Sequence, residues 1–310
     1  MEKRFYSFNQ YLREKFGKRI HRISLDAGFS CPNIDGTLSR QGCIYCNNKA
    51  FSIHTRKIIP LREQIVQSIS YYKRRMKVTN FIAYFQAFTN THASIDDLRE
   101  KYNVIRDFPE IVGLFISTRP DCIDREKLTL ISQYQREYLV WIEYGLQTTH
   151  NRILTLINRN HTYEDFLKTL ELTRSYGINV GVHIILGLPQ QSYEEMMIDA
   201  KRLASLDIQG IKFHILHVLK DTLLENWYRE GRLNLLSKEE FVRIICDFLE
   251  IIPSRFVILR LVSTANPAYL IAPKWINQRS EVLHQIEKEL EKRGTYQGYR
   301  YRYESTSCPH

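Results

Sequence analysis

The chain has no run of about 20 apolar residues, the length a membrane-spanning helix needs. Its start, Met1-Glu-Lys-Arg-Phe-Tyr, lacks the unbroken apolar segment of a signal peptide. Membrane insertion and secretion are therefore not expected, and a cytoplasmic location is. Pro/Gly/Ser-rich linkers, low-complexity tracts and internal repeats are also missing, so 310 residues with 44% hydrophobic content are expected to form one large core. Cysteine is scarce, at six residues. In a reducing compartment these serve as metal ligands or free thiols and not as disulfides. Acidic residues are in deficit, 34 against 44 Lys and Arg, which gives a formal charge of +10 and suggests a polyanionic partner. The surplus collects at Lys3 to Arg22, at Tyr71-Tyr-Lys-Arg-Arg-Met-Lys77 and in the tail Tyr296-Gln-Gly-Tyr-Arg-Tyr-Arg-Tyr303. Interleaved Arg and Tyr suit the phosphates and bases of single-stranded nucleic acid. A solvated basic surface explains them equally well.

Three of the cysteines lie close together, in Cys31-Pro-Asn-Ile-Asp-Gly-Thr-Leu-Ser-Arg-Gln-Gly-Cys43-Ile-Tyr-Cys46. Cys43 and Cys46 form a knuckle, and the turn formers between Cys31 and Cys43 let the loop fold back so that three thiolates converge. Iron-sulfur clusters and zinc both take thiolates, but a structural zinc site normally has four ligands. His54 is available to close a zinc site, so on these residues alone both metals remain open.

The rest of the chain alternates strand-like and helix-like segments. Strands are expected at Ile20–Asp26, Phe81–Phe85, Val112–Ser117, Tyr138–Tyr144, Val180–Leu186 and Ile211–Leu216, with one more at Phe256–Val262. Between them lie helical periodicities: Leu61 to Met76 after Pro60, a helix opening at Ser94, and others over Arg125 to Gln135, Tyr163 to Leu170, Ser192 to Leu203 and Ser237 to Phe248. Six β/α units in series favour a parallel sheet covered by helices, an open (β/α)6 TIM-type partial barrel. Such folds do their chemistry at the C-terminal ends of the strands. The cysteine loop leaves the first strand there, and Gln86, Ser117, Thr118, Arg119, Glu143, Gln147, His183, His214 and His217 are expected to face the same mouth.

Gly28-Phe-Ser-Cys-Pro-Asn33, Gly42-Cys-Ile-Tyr-Cys-Asn47, Tyr84-Phe-Gln-Ala87, Thr118-Arg-Pro-Asp-Cys122, Glu143-Tyr-Gly-Leu-Gln-Thr148, Ile157-Asn-Arg-Asn-His161 and Ile211 to Lys220 together resemble the radical S-adenosylmethionine (SAM) superfamily. Within it the chain is most similar to the YhcC/YtqA group, whose domain is related to that of the elongator catalytic subunit. The resemblance implies a radical SAM barrel over residues 1–265 with a cluster loop at 28–48. Residues 266–310 would be a C-terminal α/β extension packed on the barrel and ending in the basic Tyr/Arg tail. It further implies a [4Fe-4S] cluster on Cys31, Cys43 and Cys46, SAM on the open iron, and a one-electron donor such as flavodoxin or ferredoxin. Two departures stand out. The first cysteine gap is x11 where x3 is usual, as in elongator-like members, and Phe85-Gln86-Ala87 replaces the Gly-Gly-Glu that often holds the SAM amino group.

Around SAM, Gln86 is expected at the amino group, and Arg119 at the carboxylate or a substrate phosphate unless Asp121 takes it as an ion pair. Ser117 faces the same site. Glu143 and Gln147 suit the ribose hydroxyls or amino group, with buried structural hydrogen bonding as the competing role. His183 falls where some relatives carry a ribose-binding Asp; a satisfied core histidine is the other reading. Cys122, Cys246 and Cys308 read as free thiols, Cys246 in the core, with a ligand or radical-quenching role conceivable for Cys308. The leading expectation is a radical SAM enzyme acting on RNA, a tRNA base in particular, with no DNA or membrane partner. The alternatives are a radical SAM enzyme for a small molecule or protein side chain, and a non-catalytic zinc-knuckle RNA-binding protein.

Overall fold

The computed structural model describes residues 3–47, 50 and 59–301. His54, Cys308 and the last two residues of the Tyr/Arg tail lie outside them. Helix α1 (Phe8–Phe16) precedes β1 (Ile20–Leu25). Then follow α2 (Leu61–Met76), β2 (Asn80–Phe85), α3 (Ile95–Asn103), β3 (Ile111–Thr118), α4 (Arg125–Gln133), β4 (Leu139–Gln147), α5 (Asn151–Leu156), α6 (Tyr163–Arg174) and β5 (Asn179–Leu186). The chain continues through α7 (Tyr193–Ala204), β6 (Gly210–Ile215), β7 (Val218–Leu219), α8 (Leu223–Arg229), α9 (Lys238–Ile251), β8 (Val257–Arg260), β9 (Leu270–Ala272) and α10 (Arg279–Arg293).

Seven strands form one sheet in the order β1-β2-β3-β4-β5-β6-β8, every neighbouring pair parallel. It curls into a partial barrel with helices outside, as the alternation of segments predicts. The short β7 and β9 make an antiparallel ribbon of their own. Capping boxes start α7 at Ser192 and Glu195, and α9 at Ser237 and Glu240. No helix among the described residues is long and apolar enough to cross a membrane.

The sheet has two apolar faces. One packs under the outer helices, where Cys246 is buried on α9. The other lines the barrel's lower interior, where Ile20, Ile82, Phe115, Leu139, Trp141, Val257 and Leu259 meet Phe8 and Leu12 of α1. Helix α1 was not anticipated from the sequence. Its approach is fixed by the Ile258 amide, which donates to the Tyr6 carbonyl at 2.8 Å, and it plugs the end of the barrel where the strands begin. Polar chemistry is thereby confined to the other end.

Apart from Arg22, the described members of the basic clusters gather toward the plugged end. Lys18 and Arg19 immediately precede β1, and the exposed Lys73, Arg74, Arg75 and Lys77 close α2 just before β2 starts. Gln297, in the tail, donates to the carbonyls of Pro253 and Phe256 ahead of β8.

Candidate active site

The cysteine loop leaves β1 through Gly28, whose φ of +72° is a glycine conformation. It is tight: the amides of Ile34 and Asp35 donate to the Cys31 carbonyl, and the Cys46 amide to the Cys43 carbonyl at 3.0 Å. Segment 157–161 anchors it from across the barrel mouth. The Ile44 amide donates to the Ile157 carbonyl, Asn33 Nδ2 to the Asn158 carbonyl at 2.7 Å, and Asn160 Nδ2 to Asn33 Oδ1. Arg159 gives Nε and Nη2 to the Gly145 carbonyl and holds Nη1 3.7 Å from Cys43 Sγ. That is a cation against a sulfur that bears negative charge when ligated. Sequence reasoning read the Asn-Arg-Asn segment as a family motif only; its part in holding the loop becomes visible once β4 and α5 bring it over the loop.

Cys31, Cys43 and Cys46 share one cavity of about 590 Å³ with the strand-end residues, within the size range of small-molecule sites. Gln86, Ser117, Thr118, Arg119, Gln147 and His183 all line it, as do His214 and His217. His214 and His217, three residues apart, both reach the mouth because β6 ends at Ile215, after His214. Gln147 is aimed by an irregularity in β4 that carries it to a φ of +80°, unusual for a residue with a side chain. Arg119, 2% exposed, pairs with both carboxylate oxygens of Asp121 at 2.9 and 2.7 Å, yet its Nη1 is buried with no partner. One donor is therefore left over for a ligand.

Glu143 does not reach the cavity. It is fully buried one layer below, its carboxylate taken by Arg22 Nη1 (3.2 Å), Tyr84 Oη (2.8 Å), His183 Nε2 (2.7 Å) and Lys212 Nζ (2.8 Å). Lys212 also donates to Tyr84 Oη. Burial alone would raise the Glu143 carboxyl; Lys212, His183 and Arg22 outweigh it and hold it well below the usual range. Burial, with the Lys212 ammonium adding, drives His183 down to about 3, so at neutral pH it is an uncharged donor to a charged carboxylate. The sequence did not mark Arg22, Tyr84 and Lys212 as parts of one charged floor, because alternation cannot tell a strand's solvent face from a polar barrel interior; Tyr84 and Lys212 stood only within family motifs, and Arg22 only in a basic cluster.

Among the described residues no three His, Cys, Asp or Glu side chains stand close enough to hold a single metal ion. Three thiols around one cavity suit a polynuclear cluster with an open position. The model of the Radical SAM superfamily matches residues 39–203, past Cys31 but including Cys43 and Cys46, and that of the Radical_SAM C-terminal domain matches residues 208–292.

The chain belongs to the radical SAM superfamily.

Within it, the radical SAM chain described here is 40% identical to YtqA of Bacillus subtilis, over 96% of this chain and 92% of that one. YhcC of Escherichia coli K12 is 32% identical over 95% and 94%, so the chain falls in the YhcC/YtqA group. In fold it resembles the Elp3 structure of Methanocaldococcus infernus, with a TM-score of 0.64 at 17% identity, covering 90% of this chain and 64% of that one. The cofactors of this radical SAM enzyme are a [4Fe-4S] cluster and SAM. The donor set described above fits them: three thiols and an open cavity whose walls carry a spare guanidinium donor, amides and a hydroxyl.

Proposed function

We propose that Cys31, Cys43 and Cys46 hold the cluster and that Gln86, Ser117, Arg119, Gln147 and His183 hold SAM beside it. The observation that carries this is their convergence on one cavity at the strands' C-terminal ends. Bound there, the cluster and SAM would supply one-electron reductive cleavage and the means to take a hydrogen atom from a substrate. The chain's own part is positioning and exclusion. Gln86 accepts from the SAM amino group, the spare Nη1 of Arg119 meets its carboxylate, Gln147 donates to a ribose hydroxyl, and neutral His183, whose one N–H is on Glu143, accepts from another through Nδ1. Glu143 acts through His183 and Lys212, fixing the floor of the site and not touching the ligand. The electron comes from a cytoplasmic flavodoxin or ferredoxin.

For the substrate, we propose RNA, a tRNA base in particular. Support comes from the basic surplus and from relatives named tRNA uridine(34) acetyltransferase, such as that of Dehalococcoides mccartyi, 27% identical over 58% of this chain and 39% of theirs. A second reading, a small molecule or a protein side chain, is favoured by a separate observation. Apart from Arg22, the described members of the basic clusters lie toward the plugged end of the barrel, away from the mouth. Modified nucleosides compared between cells with and without the gene, alongside mobility shifts with bulk tRNA at low salt, separate the two. A missing nucleoside supports the RNA reading; unchanged nucleosides with no shift support the other.

A further inference from the structure

We propose that Arg260, against His214, anchors an oxyanion of the substrate, a carboxylate or a phosphate, within this cavity. This rests on reading the cavity as the site of radical chemistry, and it deepens that reading by naming a chemical group the substrate must carry.

Four cations line the cavity, Arg119, Arg159, Lys212 and Arg260, and no Asp or Glu among the described residues does. Three of the four are already engaged. Arg119 is forked onto Asp121, Lys212 sits on Glu143, and Arg159 is spent on the Gly145 carbonyl beside Cys43. Arg260 has no carboxylate partner among the described residues. Its Nε is buried without a hydrogen bond, and its Nη2 lies 2.9 and 3.0 Å from the two ring nitrogens of His214. Near-equal distances put the guanidinium over the imidazole and not in line with one lone pair, so its fork remains available.

Arg260 is half-buried with its Nε wholly covered, and a guanidinium N–H buried without a partner is costly unless something completes it. The groups around Arg260 make the demand stronger. Arg22 and Lys212 are cations, His183 is buried and His214 half-buried, and Glu143 is already shared among four donors. Burial brings Arg260 down to about 10, which still leaves it charged at neutral pH. Burial, followed by the nearby Arg260 charge, keeps His214 neutral, so it can donate one N–H to the same anion. Thr264 and Asn266, on the loop after β8, line the cavity beside them and add polar capacity. Arg260 ends β8, at the opposite edge of the sheet order from β1, which launches the cysteine loop. In the sheet order β8 also lies four places from β3, whose end carries Arg119, which leaves Arg260 for the substrate and Arg119 for the SAM carboxylate.

The test uses the full chain reconstituted with iron and sulfide and saturated with SAM. Inorganic phosphate and acetate are titrated separately at constant ionic strength, with binding followed by calorimetry. Saturable binding of either is expected, and the preferred anion identifies the group. Arg260→Met should weaken it at least tenfold and Arg260→Lys less. Lys73→Met, at the plugged end, should leave it unchanged. Should Arg260→Met fail to fold, His214→Phe, which keeps a ring but removes the donor, is expected to weaken binding severalfold. Absence of saturable binding to the wild type, or equal binding by the Arg260 variants, overturns the proposal. Release of 5′-deoxyadenosine under dithionite, measured on the same samples without substrate, reports separately on the radical reading.

Discussion

An ammonium and a carboxylate 2.8 Å apart, 2% and 0% exposed, sit in the floor of the cavity as Lys212 and Glu143. Desolvating both is expensive, and removing one partner leaves the other charge uncompensated. Glu143→Ala is therefore expected to cost about 3–5 kcal/mol of unfolding free energy, read by urea titration. Pairing Glu143→Leu with Lys212→Met should recover part of that loss. The layer also sets a pH dependence. His183 titrates near 3 when folded and near its ordinary value of 6.5 when unfolded. Its depressed value means stability is held above pH 6.5 and lost as pH falls from there toward 3. In His183→Gln, which cannot titrate, the slope of stability against pH over that window should be shallower by up to about 1.4 kcal/mol per pH unit. Gln86 and Arg119, just past their strand ends, and His183, inside the second half of β5, could be read from the sequence because the C-terminal side of a β/α sheet opens on the mouth. Glu143 looked equivalent, but β4 runs on to Gln147 through its irregularity, which leaves Glu143 a layer deeper.

At the level of elements, five of the seven barrel strands were legible to within a residue at each end, since each is a short apolar run bounded by turn formers, whereas β4 runs on to Gln147 and β8 stops at Arg260. The short helices α5 and α8 were not anticipated, and neither were three further features. Helix α1 has only Phe8 and Leu12 buried, too few to show a periodicity. The β7–β9 ribbon is two to three residues per strand and depends on a partner far away in sequence. The third is the pair of interior glycines on β5 and β6. A Cβ at Gly210 would meet the Val257 carbonyl oxygen at 2.7 Å and the Trp141 ring at 3.1 Å, and one at Gly181 would meet Leu259 at 2.7 Å. These two positions stay empty so that the Trp141 indole can fill the lower barrel. Gly210→Ala is expected to destabilise by about 1–3 kcal/mol through overpacking. A thermal melt unchanged from wild type would mean that β6 and β8 can separate without cost.

For the molecule as a whole, polarity is divided between the two ends of the barrel. Helix α1 and the apolar layer of Trp141 and Phe115 seal one end, and the exposed basic clusters gather around it. The other end holds the cysteine loop, the spare donors of Arg119 and Arg260, and the charged floor beneath them. Composition gave the size of the positive charge without its distribution, which only the fold determines. The central claim is that Cys31, Cys43 and Cys46 together bind a cluster that reacts with SAM. Anaerobic reconstitution with iron and sulfide, followed by assay for 5′-deoxyadenosine under dithionite and SAM, tests it most directly. The account predicts a brown protein containing iron and sulfide in equal amounts that releases 5′-deoxyadenosine, with both lost in Cys43→Ala. A colourless protein carrying stoichiometric zinc and releasing no 5′-deoxyadenosine would contradict it.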